Sequence, residues 1–594
     1  MEAVSGETEN IAIGARQTLF YKLKKDWKII LILTILILLG IVVRLVNYSD
    51  VGYWNDDPTT VPTALAWFYP HPIYPYPGYL GHGEPALGHL FIGAGCMLSG
   101  EDFSGVQKMY HDFYPGRGEL IGKQLVNATK YCVAPIHFFG IIFLILVAIL
   151  SYIIVKGRAA IYSTAFFAFY PFVLIHSRWI KVDVIMATFF IIGLLFLWKA
   201  YNLEKGAKKE IVYFCFGSAF ISLAFAVRLT GAIFLPLPFL LIIEKYFSNI
   251  LYVIKKILLW LNIVSAKKIM AVNADWRSLV KIMLLPAFSL IFFYLLPFKF
   301  HPSYAITVYN MYSSIHFEFS TIGLFLLNPF KVWHGLLLYA NLFDTLIFFF
   351  SLYVFIRIIV KKDKTKPEKF ILYLMALYLV ALLITQSLQI LRANMPFLVG
   401  FSLLAGLAFS DNEYSIFRIL KIKKAGIVFG AFIIIYVIFS FSSAFATAPY
   451  YDTQNHLLCL FEQDNCNKLS VNQLSSFASK TLTTFLRDKM DVNETYLPRA
   501  APDYYYLRSE EDILHYQFIL PYRQQLGRDP SVKEKIAYFH PFGRQIRYIP
   551  VIVFYFTEDQ NFLLEDYEPN WLITMHGKDI IFIYDVLNLT KKNL

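Results

Sequence analysis

The chain has 594 residues, of which 57% are apolar and only 16% charged, and its mean hydropathy is +0.52. A soluble protein of this size carries roughly a quarter charged residues, so a soluble enzyme is excluded and an all-α polytopic membrane protein is expected. The formal net charge of +12 then reads as an orientation signal in the loops, not as nucleic-acid binding.

Lys22, Lys24, Lys25 and Lys28 precede the first apolar run and place residues 1–28 in the cytoplasm. That run is expected to stay as a span and not be cleaved, because it is long and no small-residue cleavage site follows it. Eleven spans are expected, at about 29–46, 134–155, 159–176, 182–200, 211–228, 230–246, 280–297, 336–360, 370–390, 394–410 and 425–446. Each is about as long as a helix needs to cross a ~30 Å hydrocarbon core. The connections this count places inside are basic, for example Lys205/Lys208/Lys209 and Lys361/Lys362/Lys364/Lys366. The glycosylation sequons at Asn47, Asn127, Asn493 and Asn588 all fall outside.

The transmembrane region thus covers 29–446, with a large outside loop at 47–133. Residues 247–279 read as an amphipathic helix on the inner surface, anchored by Trp260 and Trp276. From 447 to 594 the composition becomes that of a soluble protein, with strand-like runs at Tyr548–Phe556 and Ile580–Val586. A small extracytoplasmic α/β domain is expected there. Of the five cysteines, Cys215 lies within a span as packing, while Cys96 and Cys132, and Cys459 and Cys466, are placed to form two disulfides. The short spacing makes Cys459–Cys466 the stronger expectation, and neither pair has metal-ligand spacing.

Just past the first span stands Tyr53-Trp54-Asn55-Asp56-Asp57-Pro58. Adjacent residues do not share a helix face, so one acid would face inward and the other support it. The plainer reading is a solvated turn, since Asp before Pro is an ordinary helix start. Opposite this pair, three outside turns carry cations where Lys and Arg should be scarce. They read His176-Ser-Arg178-Trp-Ile-Lys181-Val-Asp183, Arg228-Leu-Thr, and Gln389-Ile-Leu-Arg392-Ala-Asn-Met-Pro396. Snorkelling to headgroups or a structural pair such as Arg178 with Asp183 accounts for any one of them. One shared anion accounts for all three, and the arginine fork suits a phosphate. Carboxylates and cations at one membrane face fit chemistry on a lipid-linked phosphate: cations hold the departing phosphate and a carboxylate takes a proton from an acceptor hydroxyl.

In order and spacing these motifs resemble the dolichyl-phosphate-mannose protein mannosyltransferases and their bacterial and archaeal relatives, including the aminoarabinose transferase acting on lipid A. These are membrane-embedded C-type glycosyltransferases. The likeness runs over about residues 29–410: the acid pair Asp56-Asp57, then His82-Gly-Glu84-Pro85-Ala-Leu87-Gly88-His89, then Ser177-Arg178 to Asp183, Arg228 to Pro236, and Arg392 to Pro396. The chain departs from the family in having Asp57 where Glu is usual and Glu84 near a position usually held by His or Pro. Glu84 is open to a pocket role or to helix capping. Lys130, or less fittingly Arg117, stands in for a phosphate-contacting Arg late in the first loop.

The resemblance implies inverting transfer of one sugar from a polyprenyl-phosphate donor to a protein, lipid or glycan acceptor at the outer face. Asp56 would be the base, Asp57 its support, and Arg178, Arg228, Arg392 and Lys130 the phosphate contacts. No metal or other cofactor is implied. Glu84, His89, His316 and Glu318 are further pocket candidates, with His301, Trp333 and His334 in the same later loop. His316 and Glu318 lack a third ligand in metal spacing. A transporter or flippase is the rival reading, against which the halves of the chain show no matching repeat. An oligosaccharyltransferase-like enzyme is the other, though the Trp-Trp-Asp-Tyr-Gly motif of that group is missing. Either a plasma membrane or an endoplasmic reticulum would suit the composition.

Overall fold

A computed structural model describes chiefly residues 26–46, 57–69, 86–104, 119–178, 181–260, 276–300, 331–337, 339–384, 394–410 and 425–447, with short strands after 550. The chain is a predominantly helical integral membrane protein. The first helix, α1 (Asp26–Leu45), is apolar along its length. Two shorter helices follow in the expected outside loop, α2 (Asp57–Ala66) and α3 (Ala86–Met97). Then come α4 (Glu119–Ile154), α5 (Gly157–Phe169) and α6 (Pro171–His176). Next are α7 (Asp183–Asn202), α8 (Lys208–Val227), a 3-10 segment (Leu229–Phe234) and α9 (Leu237–Trp260). The described helices end with α10 (Trp276–Phe300), α11 (Leu342–Val360), α12 (Lys366–Ile384), α13 (Met395–Phe409) and α14 (Ala425–Thr447).

Each of the eleven expected windows contains helix, and six described segments are by themselves long and apolar enough to cross a bilayer. One window is corrected. Residues 159–176 form two helices, because Tyr170 takes an extended ψ of 120° before Pro171 opens α6, the conformation that a following proline favours. The expected boundary between the sixth span and the surface helix from 247 coincides with a kink at the non-helical Tyr246, after which helix continues to Trp260. The break has a polar cause: the Tyr246 hydroxyl donates to Glu210 at 2.7 Å, and neighbouring Lys245 pairs with the same carboxylate at 2.7 Å.

Helices in lipid gain little from hydrophobic burial against one another, so they pack through small residues and hydrogen bonds. Gly193 of α7 meets Gly217 of α8; a Cβ on Gly217 would stand 2.6 Å from a Leu197 methyl. The hydroxyls of Ser151, Ser163 and Ser402 run in a chain at 2.7 and 3.3 Å, joining α4, α5 and α13. The Ser222 hydroxyl donates to the Leu290 carbonyl at 2.6 Å, joining α8 to α10.

The lysine-rich helix ends are tied by ion pairs. Lys369 of α12 meets Glu244 of α9 at 2.6 Å, and Lys361 meets Glu368 at 2.9 Å and Glu413 beyond α13. Near the C-terminus β1 (Val551–Tyr555), β3 (Trp571–Met575) and β4 (Lys578–Asp585) form an antiparallel sheet in the order β1-β4-β3, while β2 (Tyr567–Glu568) pairs with β5 (Thr590–Lys591). The edge strand β1 and the central strand β4 coincide with the two strand-like sequence runs.

Candidate active site

At the lysine-poor end of the bundle the turns carry buried charge. Arg178, fully buried just after α6, donates through Nε and Nη2 to the Arg44 carbonyl at 3.3 and 3.2 Å, and through Nη2 to the Val46 carbonyl. These carbonyls lie at the C-terminus of α1, where no intrahelical N–H reaches and a cation is favoured. Arg44 is itself fully buried, and its Nη1 donates to the carbonyls of Gly40 at 2.9 Å and Ala168 at 3.1 Å. Two guanidinium groups thus fix the end of α1 against the break between α5 and α6. His137 of α4 is buried within electrostatic reach of both. The chain leaving this clamp leads directly to Asp56 and Asp57.

A second corner joins α7 and α8. Asp183, fully buried in the first turn of α7, accepts from Nη1 of Arg228, which follows the last residue of α8. An acid at a helix N-terminus is favoured by the helix dipole, and the pair closes the lysine-poor end of the α7–α8 hairpin. The pairing considered for Asp183 from sequence, with Arg178, gives way to one with Arg228, while Arg178 serves α1. Arg228 has five N–H donors in its fork, and among the described residues only Asp183 engages them.

The outside-loop helices sit on this corner. Lys181, buried just before α7, donates to the Thr60 hydroxyl of α2 at 3.4 Å. Asp57 is the first residue of α2, one turn ahead of Thr60. On α3, Gly88 admits the lysine-poor ends of both α7 and α8: a Cβ there would lie 2.5 Å from a Val182 methyl and 3.1 Å from one of Val227. His89, the next residue, is buried. Cys96 at the end of α3 is disulfide-bonded to Cys132 of α4. Lys130, two residues earlier on α4, is exposed, with its ammonium 5.0 Å from the Tyr131 ring centroid.

Asp56, Glu84, His316, Glu318 and Arg392 lie outside the described residues, as do His301, Cys459 and Cys466. The chain following Arg392 is described. Asn394 is buried and accepts from the Tyr378 hydroxyl at 2.7 Å, and Phe397 meets Phe234 with ring centroids 5.1 Å apart. Phe234 ends the 3-10 segment that begins after Arg228, so the start of α13 packs beside the segment carrying that arginine. Trp333 and His334 are on the helical stretch 331–337.

Arg44 and His137 were not singled out from the sequence. The signal for Arg44 was present: an arginine inside an apolar run is costly unless paired. Among the described residues no group of three His, Cys, Asp or Glu side chains is placed to hold a metal. Chemically, the corner offers a guanidinium on a fixed carboxylate, a buried ammonium, and the helix that opens on Asp57.

No family model and no curated protein matches the chain. Among solved structures it is similar to ArnT from Cupriavidus metallidurans in the apo state, with 11% identity over 94% of this chain and 98% of that one and a TM-score of 0.45. The same protein bound to undecaprenyl phosphate gives 11% identity, the same coverage and a TM-score of 0.43. The archaeal oligosaccharyltransferase AglB from Archaeoglobus fulgidus, in complex with an inhibitory peptide and a dolichol-phosphate, gives 15% identity over 71% of this chain and 56% of that one, with a TM-score of 0.38. At such identities the side chains themselves must carry any functional assignment.

Proposed function

We propose that the chain is a glycosyltransferase that moves one sugar, with inversion, from a polyprenyl-phosphate donor to an acceptor hydroxyl at the lysine-poor face of the membrane. The observation that carries this reading is the convergence on one corner of Arg228, Lys181 and the start of α2, where Asp57 stands. The order of motifs along the sequence supports it independently.

Asp56 takes the proton of the acceptor hydroxyl as its oxygen attacks the anomeric carbon from the side opposite the phosphate. The bond from that carbon to the phosphate oxygen breaks, and the electron pair leaves with the lipid phosphate. The leaving phosphate needs no proton, so one base suffices. Arg228, joined by Arg392, holds the phosphate and stabilises its growing charge. Arg178 is placed to act through the backbone, holding the end of α1 from which the acidic pair follows. Asp57 supports its neighbour, and Lys130 marks the membrane boundary where the donor phosphate would lie. The N-terminus then faces the cytoplasm, and the first loop and the C-terminal region face the other side, where a Cys96–Cys132 disulfide is stable.

The test is incubation of the purified protein with a panel of radiolabelled polyprenyl-phosphate sugars, scoring binding and then transfer. Asp56→Asn is expected to bind donor as wild type does and to lose transfer by at least about a hundredfold, the lower range for a general base. An Asn variant that keeps most of its turnover overturns the assignment. Binding with no transfer to any acceptor, together with lipid movement across vesicles, would favour a transporter.

A further inference from the structure

Away from the candidate active site, the lysine-rich half of the bundle holds an apolar groove of about 570 Å³. That volume is in the range of small-molecule sites, roughly 300–1,000 Å³. Its walls run from Ile32 and Leu36 on α1, past Tyr162 on α5, to Gly430 through Ile438 on α14. Gly430 to Ile438 is eight residues of helix, about 12 Å. That is close to the depth of one leaflet, about half of the ~30 Å hydrocarbon core.

The one charged residue on the wall is Arg158. It is exposed near the start of α5, and among the described residues no hydrogen bond or ion pair engages it. The flanking helices add charge of the same sign. Lys28 lies early in α1, and in sequence Lys423 and Lys424 immediately precede α14. A groove closed by hydrocarbon at one end and a guanidinium at the other fits a molecule with a chain and an anionic head. Snorkelling alone would leave Arg158 indifferent to which headgroup it meets.

We infer that this groove binds one acyl chain of an anionic phospholipid from the leaflet on the lysine-rich side, with the lipid phosphate on Arg158. The site is separate from the glycosyl-transfer corner and does not depend on that reading. Gly430 provides a way to close it, because a Cβ there meets nothing within 4 Å. A side chain at that position therefore starts into open space, and a leucine there would occupy part of the groove.

The experiment is native mass spectrometry of the full chain in detergent, titrated with phosphatidylglycerol, phosphatidylcholine or undecaprenyl phosphate. Phosphatidylglycerol is expected to bind roughly tenfold more tightly than phosphatidylcholine, because both carry a phosphate but only phosphatidylcholine adds a quaternary ammonium that opposes the Arg158 charge. Arg158→Gln should remove that preference, and Gly430→Leu should remove binding of both phospholipids while leaving the lipid-free melting temperature unchanged. Should Gly430→Leu melt early, Arg158→Gln decides alone. Equal binding of the two phospholipids to wild type, a preference that survives Arg158→Gln, or displacement of phosphatidylglycerol by undecaprenyl phosphate overturns the inference.

Discussion

Asp183 and Arg228 stand 45 residues apart in sequence and meet at the lysine-poor end of α7 and α8, both buried. Removing one partner of a buried pair leaves an uncompensated charge, which costs about 3–5 kcal/mol, whereas removing both costs far less. Asp183→Asn should therefore lower the melting temperature of the solubilised protein more than Asp183→Asn with Arg228→Gln does. Thermal melts of the two variants and wild type check this, and a double variant less stable than the single one would sink it. Function should divide the other way. Arg228→Ala is expected to weaken donor binding, read as a shifted saturation curve in the same radiolabel assay, and the double variant should not recover it. Stability returned without binding returned is the signature of an arginine with two tasks, holding a helix corner and holding an anion.

The elements differ in how they are fastened. At the lysine-rich ends, Lys361 bridges Glu368 and Glu413, and the Tyr414 hydroxyl donates to Glu368 at 2.7 Å. Burial pushes the Glu368 carboxyl up, but hydrogen bonds from Tyr414, Lys361 and the Thr365 backbone outweigh it, so its pKa lies below the ordinary 4.5. Lys361 is held above its ordinary value, chiefly by its bond to Glu413, against a smaller opposing effect of burial. The signs follow. The Glu368 contribution is complete above its unfolded value of about 4.5 and disappears as pH falls through its lower folded value. The Lys361 contribution is complete below its unfolded value and disappears only as pH rises through its higher folded one. The stability gap between wild type and Glu368→Gln should thus hold constant at neutral pH and narrow below about pH 4.5. Melting curves from pH 7 to 3.5 measure it; a gap that widens on acidification would contradict the assignment. At the other ends the fastening uses backbone carbonyls: Arg178 on α1, and Arg44 across to α5. Hydropathy windows located these helices because twenty apolar residues in a row have few other fates, and flanking lysines marked their ends. The same windows passed over the Tyr170–Pro171 break, because hydropathy does not register a proline's steric demand. The span end at 246 coincides with the kink at Tyr246, though the bond from Tyr246 to Glu210 was not visible in the sequence. The misplaced cations were legible singly in the sequence. Their partners were not, since choosing Arg228 over Arg178 for Asp183 depends on which turns the packed helices bring together.

Across the whole molecule, α4 is the longest described helix, 36 residues or about 54 Å, against a hydrocarbon core of about 30 Å. In sequence its continuous apolar run follows Lys130, and at an ordinary tilt a helix of this length exceeds that core, so its first turns extend past it. Cys132, two residues on, carries the disulfide to the end of α3, while Lys130 and Tyr131 beside it have the character of interface anchors. α3 in turn rests on α2 and on the lysine-poor ends of α7 and α8. The height of α2 and α3 is therefore expected to follow this end of α4 and not its far end. Spans meet a thicker or thinner membrane by tilting, and because the disulfide ties α3 to α4 at Cys132, the height of α3 is expected to follow that level of α4. Oxidised protein should turn over at similar rates in vesicles of short-chain and long-chain lipid, and a Cys96→Ser/Cys132→Ser variant should become sensitive to chain length. An enzyme of the proposed kind, built this way, would keep one working distance to a lipid-borne substrate across membranes of unequal thickness.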